Sequence, residues 1–159
     1  MKTAIRSLIL LMVVLWLGGV MFFPILAYYS FSTVPDTHIA GTIVAKSLHV
    51  LHEEGLFAGA TIVVLLLAAQ VTRALRSGPA PVIATLLMLG LTAFSQFWII
   101  PKMEADRIAV GGAIDTVPAT EPHHAEFNRL HHVSEKTEQG VLLLGLILIV
   151  LISREPQKV

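Results

Sequence analysis

The chain has 159 residues, of which 55% are hydrophobic and 14% charged, against about 45–50% and about 25% in an ordinary soluble domain. A soluble domain of this size buries only about two-thirds of its unfolded surface and cannot hide such an apolar excess, so a soluble fold is excluded. Eleven Lys and Arg balance eleven Asp and Glu, which leaves no basic surplus for a nucleic-acid backbone. The absence of cysteine removes disulfides, thiolate ligands, cysteine nucleophiles and iron–sulfur clusters together; a metal ion would have to be held by His, carboxylate, Met or Tyr.

A helix crossing about 30 Å of hydrocarbon needs about 20 mostly apolar residues. In chain order, the first such run covers residues 7–29, carries no charge, and contains Trp16, Gly18, Gly19 and Pro24. Its length and the lack of an A-x-A-like site disfavour a cleaved signal peptide. The second runs from Leu56 to Val71 and is followed by Arg73, Arg76 and the sequence Ser-Gly-Pro-Ala-Pro, a helix-breaking turn. The third extends from Val82 to Ile100 and is expected to stop at Pro101, with Phe97 and Trp98 at the interface. The fourth, Val141 to Ile152, has 12 residues and spans only about 18 Å. It must therefore recruit the polar stretch before it, back to Val133. The same arithmetic takes the second helix back to His52.

Each run must satisfy its own backbone in lipid, and none alternates like a barrel strand. The expected fold is all-α: a single-domain integral membrane four-helix bundle with spanning helices at 7–29, 52–72, 82–100 and 133–152 and longer connections at 30–51 and 101–132. An amphipathic outer helix that opens at Asp36 and Thr37, lies along the surface and turns into helix two is expected between helices one and two, and an extended polar start to helix four near Glu121 and Pro122. The lipid bilayer is thus the first partner. A second copy or another membrane protein is a further one, because glycines let helix backbones approach closely.

Lys2, Arg6, Arg73, Arg76, Arg154 and Lys158 occupy the short flanks at one end, which the positive-inside rule places in the cytoplasm with both termini, in a cell-membrane protein. That end holds six basic residues and one acidic one. The other end holds five basic and ten acidic residues and all seven histidines. Neutral composition therefore conceals a polarised molecule whose acidic end favours a cationic guest.

Counting places His, carboxylate and amide groups at the polar end within reach of the hydrocarbon, with Ser95 and Gln96 at a similar depth on helix three. Ionisable groups at such depth should face the bundle interior or water. His131, Glu135 and Glu138 share one helical face, and His49, His52 and Glu53 sit at the mouth of helix two. His131, Glu135, Glu138, His49 and His52 are thus the candidate ligands of a divalent first-row metal, and two histidines on different helices are the candidate grip for a haem. A hydrogen-bonded cap that closes the bundle and a path for protons or solute stand beside these readings. No nucleophile, metalloprotease or nucleotide-binding motif is present, so catalysis has no specific support.

Several short motifs resemble those of the DUF4149/TMEM205-like family of small four-helix membrane proteins. They are the W-L-G-G with following proline (Trp16, Leu17, Gly18, Gly19, Pro24), Ala40-Gly41, the P-x-M-E with a displaced arginine (Pro101, Met103, Glu104, Arg107), Ile114-Asp115 with Pro118, and Phe127, Leu130, His131 and Ser134. Asp106 departs from the pattern, standing where an apolar residue is usual. The resemblance implies a four-helix topology, assigns no activity, and singles out His131, Ser134, Arg107 and Glu104.

Overall fold

The computed structural model describes residues 2–72 and 78–154; Arg73, Arg76 and Lys158, three of the residues behind the expected orientation, lie outside the described residues. The helices are α1 (Lys2–Thr33), α2 (Thr37–Val71), α3 (Ala80–Phe94), α4 (Ile100–Ala109) and α5 (Pro122–Ser153). A five-residue π turn, Ser95–Ile99, joins α3 to α4 in one continuous rod, so the described residues form four long helices. Each is long and apolar enough to cross a membrane, and no strand occurs among the described residues.

The helix starts follow the expected side-chain logic. Asp36 caps α2, its Oδ1 accepting from the backbone N–H groups of His38 at 2.9 Å and Ile39 at 3.1 Å. Glu121 caps α5 in the same way, accepting from the His124 N–H at 2.9 Å, with Pro122 in the first turn. Both caps satisfy N–H groups that a helix start leaves without partners.

Three expected boundaries shift. The amphipathic segment after Asp36 is not a separate outer helix, because it runs without interruption into α2; no proline stands between Thr37 and Val71 to stop it. Helix one continues past residue 29 to Thr33. Helix three does not stop at Pro101 but continues to Ala109. A proline inside a regular α-helix collides with the carbonyl four residues back and leaves it without a donor. Here the preceding turn is widened by one residue, with the Ile100 N–H bonded to the Ser95 carbonyl five positions back, and the helix passes through the proline instead of ending. The extended polar start of helix four is present as expected, with α5 beginning at Pro122.

Consecutive helices pack as neighbours, α1 on α2, α2 on α3 and α3 on α5, and α1 closes the ring against α5. Arg6 Nη2 donates to the Ser153 carbonyl at 2.9 Å across that last interface. The core stripe of α1 is Ile9, Val13, Trp16, Leu17 and Val20, which meets Ile62 and Leu66 of α2, Met88 of α3, and Val141 and Leu148 of α5. Trp16 is buried against α2 where Gly55 and Gly59 leave room for it. A Cβ on Gly55 would strike the indole Nε1, and one on Gly59 would lie 2.8 Å from Cζ3. Leu17 fills the matching gap at Gly145 of α5, and Leu51 that at Gly19. Gly18, by contrast, faces open space. Outward-facing Leu11, Val14, Phe22, Phe57, Val64, Leu143 and Ile147 are exposed, as the side chains of a bundle surrounded by acyl chains must be.

Candidate functional site

The buried polar residues lie mainly toward the end of the bundle where α2 begins and α5 carries its polar turns. His52 of α2 has 1% of its surface exposed, because it falls on the buried stripe that also holds Gly55, Ala58, Gly59 and Ile62. Its Nε2 lies 2.7 Å from Glu138 Oε1 of α5. Its Nδ1 lies 3.1 Å from Gln96 Oε1, in the π turn of helix three. The Gln96 Nε2 in turn donates to His49 Nδ1 at 2.7 Å, and His49 Nε2 faces Glu53 Oε1 at 3.2 Å. One hydrogen-bonded chain thus runs from Glu138 through His52, Gln96 and His49 to Glu53. It links three helices, and its two ends differ in exposure: Glu138 is 16% exposed and Glu53 62%.

Each link has a local cause. The π turn advances the helix by one extra residue, which resets the direction in which residues beyond it point, and Gln96 sits within that reset segment. On α5, Glu138 lies four residues after buried Ser134 and three before buried Val141, so it borders the core stripe. His131 and Glu135 lie about 20° and 60° farther round at about 100° per residue. They therefore point outward, pairing with each other at 3.5 Å while each is half exposed. His132 also approaches Glu135, at 3.2 Å, and the His131 ring stacks on Phe127.

The five expected ligands therefore separate. His52 and Glu138 are in direct contact, His49 reaches them only through Gln96, and His131 and Glu135 form their own surface pair. No group of three His, Asp or Glu side chains converges as a metal site among the described residues. The residues do not fit the expected metal set, because the angular drift along α5 splits the face that its i, i+4, i+7 spacing suggested.

Two features escaped the sequence reading. Gln96 is the hub, although the sequence indicated only its depth. Thr92 and Ser95, within one turn of Gln96 on the same helix, bury hydroxyl oxygens that have no hydrogen-bond partner. Thr85 and Thr137, by comparison, bond back to the carbonyls of Pro81 and Val133 at 2.8 and 2.9 Å. Unpartnered buried hydroxyls cost free energy and call for an explanation such as a bound polar guest.

The resemblance residues Glu104 and Arg107 make a second polar group near the start of α2. The Arg107 Nε and Nη2 donate to the two Glu104 carboxylate oxygens, both at 2.8 Å. Arg107 Nη1 reaches Thr42 Oγ1 at 3.4 Å and the Gly112 carbonyl at 3.5 Å. Gly112 adopts φ +94°, which favours glycine, and packs closely on His38. The displaced arginine thus ties the loop after α4 to the first turns of α2. Asp106, the departure from the family pattern, accepts from His123 Nδ1 at 2.8 Å. Ser134 is buried in the core stripe of α5.

Four apolar helices with lipid-facing surfaces and a polar network at one end define a multi-pass membrane protein. No family model, curated protein or solved structure matches the chain.

Proposed function

We propose that this protein is a non-catalytic member of the DUF4149/TMEM205-like family that binds or moves a small cationic solute at the outer, acidic end of its bundle, in the cell membrane with both termini in the cytoplasm. The observation that carries this reading is the contact of buried His52 with Glu138. Ionisable groups within a membrane bundle cost several kcal/mol and mark solute and ion paths. A bundle needing only closure can use apolar residues there without loss of stability. The ten acidic residues of this end attract a cation, and the free hydroxyls of Thr92 and Ser95 suit a guest that donates hydrogen bonds.

Uptake of methylammonium or guanidinium into liposomes containing the full chain tests this. Uptake should fall at least tenfold in Glu138→Gln and stay unchanged in His132→Gln, which alters an exposed histidine outside the chain of hydrogen bonds. Equal rates in wild type and Glu138→Gln, or no uptake above protein-free liposomes, would overturn it.

Gly18 supports the alternative of an accessory subunit, since its open face on α1 admits a second helix. A cysteine placed there in native membranes should then cross-link to a partner, or to a second copy.

A further inference from the structure

With the Gln96 oxygen toward His52 and its nitrogen toward His49, donor and acceptor chemistry gives the hydrogen-bonded chain a polarity. The Gln96 carbonyl oxygen only accepts, so His52 carries a proton on Nδ1 to donate to it. The Gln96 amide nitrogen only donates, so His49 Nδ1 is bare and the ring carries its proton on Nε2, where it donates to Glu53. At the other end, His52 Nε2 and Glu138 Oε1 stand 2.7 Å apart. Two lone pairs cannot face each other at that distance, so one proton lies between them. Either Glu138 is neutral and donates to a neutral His52, or His52 is an imidazolium and donates to the carboxylate. In both arrangements the pair has zero net charge.

We propose that His52 and Glu138 form a binding site for one proton, and that Gln96 couples its occupancy to His49. Release transfers the shared proton to water through the partly exposed Glu138. This leaves a Glu138 carboxylate, a neutral His52 and a net charge of −1. The remaining His52 proton must then sit on Nε2 to face the carboxylate, which leaves Nδ1 bare. Gln96 answers by turning its amide over, presenting N–H to His52 and oxygen to His49. His49 in turn moves its own proton from Nε2 to Nδ1 and gives up its bond to Glu53, where water replaces it. The amide does not pass protons along the chain. It holds the two histidines in opposite tautomers, so a change at the buried site is read at the exposed one.

The surroundings leave this pair isolated. α1 carries no charged side chain from Ser7 to Thr33, and helix three carries none from Ala80 to Pro101. On α2 the charged or titratable neighbours are His49, Glu53 and Glu54. On α5 they are Glu135, half exposed and paired with His131 and His132, and Lys136, bonded to Gln139. This inference rests on the reading of His52 and Glu138 as the centre of the site. It adds that the site exchanges a proton for its guest: neutral when protonated, it becomes anionic and attractive to a cation when the proton leaves.

The test is nitrogen-15 NMR of histidine-labelled full chain in lipid nanodiscs across a pH series, with His49→Asn for assignment. His52 should start with a protonated, hydrogen-bonded Nδ1 and end with that proton on Nε2 as pH rises. His49 should move its proton from Nε2 to Nδ1 over the same pH range. In Gln96→Leu the His49 change should no longer follow that of His52. A wild-type His52 protonated only on Nε2 throughout, or a His49 whose tautomer ignores His52, would overturn the proposal; both are read on the wild type even where a variant fails to fold. Coupled tautomers without methylammonium or guanidinium uptake would refute the solute reading and leave the proton site standing. Uptake without coupled tautomers would do the reverse.

Discussion

Replacing Glu138 with leucine should lower the stability of the bundle by about 1–3 kcal/mol, because it strands a polar ring nitrogen of His52 in the buried interior. That exceeds the ~0.6 kcal/mol average for a hydrogen bond between membrane helices. The difference arises because the partner left behind is almost completely enclosed. His52→Leu should cost less, since Glu138 retains some access to water. The double variant should recover most of the loss, since apolar side chains can replace a buried polar pair with little or no penalty. SDS titration of the purified protein in mixed micelles, followed by far-UV circular dichroism, measures all three. A double variant destabilised by the full sum of the single ones would show that the pair has no mutual dependence. A stable double variant that no longer takes up methylammonium would separate the role of the pair in function from its role in packing.

The largest structural effect is expected at Trp16. Truncation to alanine empties the space between α1 and α2 and should cost about 3–5 kcal/mol. Gly55→Ala attacks the same contact from the other side, placing a methyl group on the indole nitrogen, and should cost about 1–3 kcal/mol through overpacking. Combined, the two should cost less than their sum, because the alanine methyl enters the space the indole vacates. Thermal unfolding in a single detergent would decide this; a Gly55→Ala protein as stable as wild type would mean that Trp16 does not bear on that glycine.

Much of this architecture can be read from residue order because the bilayer imposes lengths. The 12 apolar residues from Val141 to Ile152 are too few to cross, and that shortfall alone requires the polar extension that α5 contains. The caps at Asp36 and Glu121 are equally legible, since their side chains act on the backbone a few residues away. Pro101 is not, because the same proline that ends most helices is accommodated here by a wider turn, and no periodicity in an almost uniformly apolar stretch distinguishes the two outcomes. The site was half legible for a related reason. Counting gives the depth of His52 and Glu138, but which of several residues on one face turns inward depends on a few tens of degrees of helix rotation. Those degrees separate Glu138 from His131 and Glu135, and they are set by the packing of Ser134 and Val141. For Gln96 the sequence marks the depth and nothing more: an amide near a helix end becomes a hub only when side chains of another helix bring histidines to it.

The lengths of the helices have one more consequence. α2 contains 35 residues, a rod of about 52 Å, whereas the hydrocarbon layer is about 30 Å thick and helices tilt by at most about 40°. Even at that tilt α2 still reaches about 40 Å along the membrane normal. At the end near Arg6 and Arg154 the apolar runs continue almost to the helix termini, so the surplus must stand at the opposite, histidine-bearing end. The first turns of α2, from Thr37 onward, thus stand clear of the hydrocarbon, and the polar end of the bundle reaches into the headgroup layer.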